Sequence, residues 1–244
     1  MKKNPTVPIL SALAAIGTVA ALYLIFVHDA GAHGGVDYKL NPDNGRLVQT
    51  SLFLSQRIFF FHVPFAFVLD TAVGVAGITS ILFLWKRNPK MDDIAASATG
   101  IAVAFGAGVL ATGSIWAKEA WGVWWQWEPR LTMSLLLWLI LVGYVLVRKF
   151  AGPSADRVAA GLAIFGMVGV PFIYVMVGQD SHPGSGSNGT VATLSPAIRP
   201  AFWLSVATFL TWFVVLIIVR VQATRAEREL RELRERALDL GVLE

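Results

Sequence analysis

The 244-residue chain contains no cysteine, which excludes disulfides, thiolate metal ligation and dithiol redox chemistry within it. Histidine is nearly as scarce: His28, His33, His62 and His182 are the only four imidazoles. Charge is thin as well, with 15% of residues charged against 55% hydrophobic and a mean hydropathy of +0.61. A soluble domain so apolar would have too little polar surface to cover its core, so the chain reads as an integral membrane protein. No repeat of roughly 20–50 residues is evident. No nucleotide-binding loop is present either, so any ATP hydrolysis must belong to a partner.

What the chain has instead is apolar runs. Those at 7–27, 58–85, 94–115, 131–148, 158–178 and 200–220 predict six membrane-spanning helices, because about 20 apolar residues suffice to cross a bilayer. The first run follows Lys2 and Lys3, and Ala30-Gly31-Ala32 resembles a signal-peptide cleavage site. The run is longer than the usual 7–15 residues of a signal-peptide core, which favours an uncleaved anchor. Residues 28–57 read as a polar loop. Fourteen of the twenty lysines and arginines fall in the N-terminus, the 86–93 and 149–157 connections with their flanks, and the C-terminal tail. The positive-inside rule then places both termini in the cytoplasm and the connection around 116–132 on the outer, periplasmic side. That placement also accounts for a pI near 9.6 without nucleic acid. The expected organisation is an all-α membrane protein with a six-helix unit over 1–220 and a cytoplasmic charged helical tail over 221–244. In the tail, Ala226, Leu230, Leu233, Ala237 and Leu240 form a short heptad seam, and Glu227–Arg231 and Glu232–Arg236 support the helix at i, i+4.

Five of the nine tryptophans, Trp116, Trp121, Trp124, Trp125 and Trp127, fall within twelve residues, followed by Glu128 and Arg130. Membrane proteins carry tryptophan at their interfaces as anchors, but five in one loop exceeds that need, and contiguous exposed aromatics mark binding surfaces. If the run were helical, Trp121, Trp124 and Trp125 would share a face. Pro129 would push Glu128 into extended geometry and stop the helix about there. The expected product is a slab of indole rings edged by a carboxylate and a guanidinium, suited to a large, flat, apolar ligand with a few polar groups.

Two histidines belong on the same side. His62 lies in RIFFFHVPFAF, about one turn inside the outer end of the second span, with Pro64 just beyond it; His182 opens the loop after the fifth span. An imidazole near the acyl-chain boundary is costly without a partner, which makes it a functional candidate. Haem ligation fits this set: His62 and His182 as axial ligands, the tryptophans along the porphyrin, and Arg130, Arg57 or indole N–H groups at the propionates. Zinc would need a third ligand of fitting spacing. His28 and His33 are weaker candidates in the first outer loop. Asp70, two turns inward of His62 on roughly the same face, either orients it, pairs with another helix, or is a packed structural carboxylate. Pro171 is read as a kink in the fifth span.

WGVWWQWEPRLT resembles the tryptophan-rich WWD signature of haem-handling proteins. With RIFFFHVP, six spans and the late outer histidine, the chain is most similar to the CcmC family of c-type cytochrome maturation, from the second span to the last. Glu128 stands where that signature has aspartate. The resemblance implies that haem b is held at the outer surface between His62 and His182, on a platform of Trp121, Trp124, Trp125 and Trp127. It implies delivery to the haem chaperone CcmE, whose own histidine becomes linked to a haem vinyl group, and association with the ABC-type pair CcmA and CcmB. Such a protein assists a covalent attachment without being a conventional enzyme. Three other readings compete: a permease moving haem or another substrate, a b-type cytochrome, and the related haem–cytochrome ligase. The permease would need polar residues through the membrane depth. The cytochrome would need histidine pairs within the bundle, and the ligase more spans and histidines.

Overall fold

The computed structural model describes residues 5–28, 38–40, 47–49, 53–152, 155–175, 194, 196 and 198–241. Among the described residues, six helices are long and apolar enough to cross a membrane. They are α1 (Thr6–Phe26), α2 (Phe53–Lys86), α3 (Pro89–Trp121), α4 (Pro129–Phe150), α5 (Ala155–Val175) and α6 (Arg199–Asp239). The chain is therefore the all-α, six-span membrane protein that its apolar runs predict. One small addition lies in the 28–57 segment, where β1 (Tyr38–Leu40) pairs antiparallel with β2 (Leu47–Gln49), Lys39 opposite Val48. Pro64 and Pro171 lie inside α2 and α5, and neither divides its helix.

Local chemistry sets the helix ends. Asn88 caps α3 by accepting from the Lys90 N–H at 3.0 Å, with Pro89 at the first helical position, where its missing N–H leaves nothing unsatisfied. Gly122 ends α3 in the left-handed conformation at φ 77°, which costs glycine no Cβ clash. Pro129 then opens α4, and Glu128 before it is extended at φ −80°, ψ 156°, the conformation that a following proline imposes.

α2 is the central helix, packed along α3 and against α5 and α6; α4 packs on α5 and α1 on α6. Helices in lipid gain little from apolar burial against one another, so close approach must come from small residues. A Cβ at Gly77 would come within 2.5 Å of Met167, and one at Gly108 within 2.8 Å of a Phe65 ring carbon. The core between them includes Val68, Val73, Ile101, Ala102, Leu141 and Phe213. A second cluster around Ile25, Phe60, Leu194 and Phe202 joins α1, α2 and α6.

At the end of the bundle away from Trp116, charge holds the helices together. Arg148 of α4 donates to both oxygens of Asp92 in the first turn of α3, at 2.6 and 2.8 Å. α6 runs unbroken into its charged tail and is fastened to α3 by an antiparallel row. Arg220 lies over Gly100, Thr224 Oγ1 is 3.2 Å from Ser97 Oγ, and Arg228 donates to both oxygens of buried Asp93 at 3.1 and 2.9 Å. Residues 220, 224 and 228 share one helix face, so the seam of Leu230 and Leu233 turns outward, where both leucines are exposed.

Asp93→Ala should leave Arg228 without its buried partner and lower stability by roughly 2 kcal/mol. Urea unfolding in detergent should show this, with faster tryptic cleavage after Arg225 and Arg228 than in the wild type.

Candidate functional site

At the Trp116 end, five segments converge on one cleft of about 90 Å³. From α2 come His62 and Asp70, eight residues and about two turns apart. α3 adds Gly113 and Trp116, the 122–128 connection adds Trp125, α4 adds Arg130 and Ser134, and α5 adds Tyr174. The volume holds about three waters, at roughly 30 Å³ each. It is far below the roughly 300–1,000 Å³ that encloses a drug-sized ligand. A large planar ligand would therefore meet this end at the mouth of the cleft.

His62 is half-buried, and its Nδ1 lies 2.9 Å from the Thr112 hydroxyl. The ring also presses on the backbone of α3, since a Cβ at Gly113 would lie 3.0 Å from His62 Cε1. Two turns deeper, the Tyr174 hydroxyl donates a short hydrogen bond to Asp70 Oδ2. The Arg130 guanidinium carbon sits 5.4 Å from the centroid of the Tyr174 ring. Of the roles the sequence leaves open for Asp70, the geometry favours pairing with another helix: its partner Tyr174 is on α5, while it shares a cleft with His62.

The tryptophans depart from a flat slab. α3 stops at Trp121, seven residues before Glu128, because Gly122 takes the left-handed cap, so Trp124 and Trp125 lie in irregular chain. The Trp125 and Trp127 rings meet edge to face, centroids 5.8 Å apart at 76°, the arrangement that aromatic quadrupoles prefer. Trp124 and Trp127 are exposed, at 59% and 77%, and Lys118 Nζ lies 5.9 Å from the Trp124 centroid while donating to Gly122 O at 2.9 Å. Trp125 is tucked inward, and its Nε1–H is buried with no hydrogen-bond partner among the described residues. A buried donor without an acceptor is costly, and this one borders the cleft into which Arg130 projects. Glu128 is buried at the start of α4, its carbonyl accepting from the Thr132 N–H at 3.0 Å.

Of the other residues singled out from sequence, Trp121 is the last residue of α3. Arg57 lies apart from the cleft, its guanidinium carbon 5.2 Å from the Phe26 centroid on the α1 side. His28 is exposed just beyond α1, its ring 6.3 Å from that of Tyr23. His33 and His182 lie outside the described residues. Thr112, Gly113 and Tyr174 went unnoticed in the sequence. The only signal was a small polar step, ATGS at 111–114, near the end of an otherwise apolar run.

Comparison with known proteins adds an independent observation. The sequence model of the CcmC family, heme exporter protein C, matches residues 48–236. Heme exporter protein C of Bradyrhizobium diazoefficiens is 40% identical over 119 residues, 48% of this chain and 45% of that protein. The matched region thus spans less than half of that relative's length. Heme exporter protein C of Escherichia coli K12 is 31% identical over 176 residues, 69% of each chain. A ccmC-like mitochondrial protein of cytochrome c biosynthesis from Marchantia polymorpha is 34% identical over 117 residues, 48% of this chain and 50% of its own.

The Asp70–Tyr174 bond makes its own prediction. In a double-mutant cycle of Asp70→Asn and Tyr174→Phe, the two changes should couple by about 0.5–3 kcal/mol in unfolding free energy, as contacting residues do. Additive effects would mean that the two side chains do not interact.

Proposed function

The chain belongs to the CcmC, heme exporter protein C, family, and on that premise we propose that it holds haem b as cargo at the mouth of the His62 cleft and hands it to a chaperone during c-type cytochrome maturation. The observation that carries the reading is the convergence of an imidazole, a guanidinium and a buried indole N–H, unpartnered among the described residues, on one cleft beside exposed tryptophans. Each matches a part of haem. Imidazole is an axial ligand for iron. Trp124 and Trp127 offer exposed indole surface to the porphyrin, Trp116 lines the cleft, and Trp121 is assigned to the same platform from the sequence motif. Arg130 and the Trp125 N–H suit a propionate, which as a carboxylate accepts charge-assisted hydrogen bonds. Glu128 occupies the N-cap position of α4, two residues before Arg130. His182 is the proposed second axial ligand, and Arg57, beside Phe26, is kept as a second candidate for a propionate.

The iron supplies the coordination that retains the cargo, and the protein's part is to grip, orient and expose it. Exposed Trp124 and Trp127 and a shallow cleft keep the ring at the surface, where a partner can reach a vinyl edge. We assign the bacterial inner membrane, both termini cytoplasmic and the tryptophan loop periplasmic, from the positive-inside count. Transfer to CcmE, with CcmA and CcmB supplying ATP hydrolysis, completes the proposal. The tail over 221–244 is then the cytoplasmic element, distinct from the haem-handling unit over 1–220. Against a permease reading, the bundle inward of Asp70 is filled by Val73, Ile101, Ala102 and Leu141, which offer a polar substrate no partner.

Protein purified from cells co-expressing the chaperone should carry a Soret band that is lost or shifted in His62→Ala and in His182→Ala. An unchanged spectrum in both variants would remove these histidines as ligands. Trp125→Phe, which deletes one donor, should weaken haem retention about 5- to 10-fold, the equivalent of about 1–1.4 kcal/mol for one hydrogen bond.

A further inference from the structure

His62 has two ring nitrogens, and only the one without a proton can bind iron. The hydrogen-bond network around Thr112 decides which one that is. A hydroxyl has a single proton to donate. Thr112 Oγ1 lies 2.6 Å from the Gly108 carbonyl oxygen and 3.3 Å from that of Val109, both of which can only accept. The threonine proton is thus committed to its own helix, one turn back. The same oxygen is 2.9 Å from His62 Nδ1, and towards that nitrogen it has only a lone pair to offer. Nδ1 must therefore carry the proton and donate, which leaves the lone pair of the neutral ring on Nε2.

The geometry points to Thr112 as a positioning residue for haem ligation: it fixes His62 in the Nδ1–H tautomer, so that Nε2 is the nitrogen presented to iron. This rests on the haem reading above and goes beyond it by assigning the ligating atom and the residue that selects it. Ligating histidines are held in this way by an acceptor on their other nitrogen, which sets the tautomer and ring orientation and raises ligand basicity. Here the acceptor is itself polarised, because Nδ1–H, the Thr112 hydroxyl and the Gly108 carbonyl form a chain of like-directed hydrogen bonds. Gly113 completes the clamp. With a Cβ 3.0 Å from His62 Cε1, an alanine there would push the ring off its line by a few tenths of an ångström.

The first test needs no haem. In protein labelled with ¹⁵N-histidine and reconstituted in lipid at a pH where His62 is neutral, the His62 signals are those lost in His62→Ala. Solid-state NMR should show a protonated Nδ1 and a bare Nε2; the opposite tautomer would overturn the inference. The second test loads ferric haem b and follows its capture by excess apomyoglobin. Thr112→Val keeps the shape and removes the acceptor, so haem should leave 10- to 100-fold faster, the usual effect of losing such a partner, and the ferric spectrum should shift towards high spin. Thr112→Ser should restore the wild-type rate and spectrum. Wild-type behaviour of Thr112→Val, in a background where His62→Ala loses haem, would overturn the role of Thr112 alone. Wild-type behaviour of His62→Ala would overturn the haem reading, and this inference with it.

Discussion

The close packing of α2 against α3 is the constraint on which the site depends. In hydrocarbon, apolar burial does little to bring helices together, and contact has to come from shape and from hydrogen bonds. Gly108 admits the Phe65 ring at a distance that a side chain would forbid, and Gly113 admits His62 where a Cβ would displace the ring by a few tenths of an ångström. Because the helices meet this closely, a histidine on one can reach a threonine on the other. That reach turns an otherwise expensive membrane imidazole into a satisfied and oriented one. The same approach sets Trp116 of α3 beside His62 and starts the tryptophan connection at the mouth of their shared cleft.

The two ends of the bundle use polar groups differently. At the Asp93 end, opposite charges are matched: Arg148 grips Asp92 and Arg228 grips Asp93, and the result is a fixed scaffold. At the His62 end, Arg130 rests against an aromatic face, and the Trp125 N–H is buried without an acceptor among the described residues. A folded protein seldom leaves a buried donor unsatisfied. Beside a guanidinium and a cleft, this donor is the group that the proposed function gives to a haem propionate.

Much of this was legible in the sequence because apolar length, proline and glycine act locally. Six runs long enough to span gave six helices, and Pro129 set both the extended Glu128 and the start of α4. The end of α3, at Trp121, lies between the end of the apolar run at 115 and the Pro129 stop that a continuing helix would have reached. Tryptophans at helical spacing suggested a continuing helix, and the left-handed preference of Gly122 prevailed over that pattern. The companions of His62 and Asp70 were not legible. Thr112 and Tyr174 lie 50 and 104 residues from them, and a lone threonine or tyrosine in an apolar run carries no mark of what it faces across a helix interface. Arg57 looked equivalent to Arg130 by charge and side, and only the packing of α1 against α2 separates them.

The central claim is that haem binds at the tryptophan end, and the absence of cysteine makes this directly measurable. Val123 and Trp85 are both exposed. Trp85 lies 23 residues along α2 from His62, about 35 Å at 1.5 Å per residue. Single cysteines, Val123→Cys and Trp85→Cys, would each be labelled with a fluorophore in lipid nanodiscs and titrated with ferric haem b, which quenches by energy transfer. Strong saturable quenching at 123 and much weaker quenching at 85 is the predicted result. Equal quenching at both positions, or stronger quenching at 85, would contradict it.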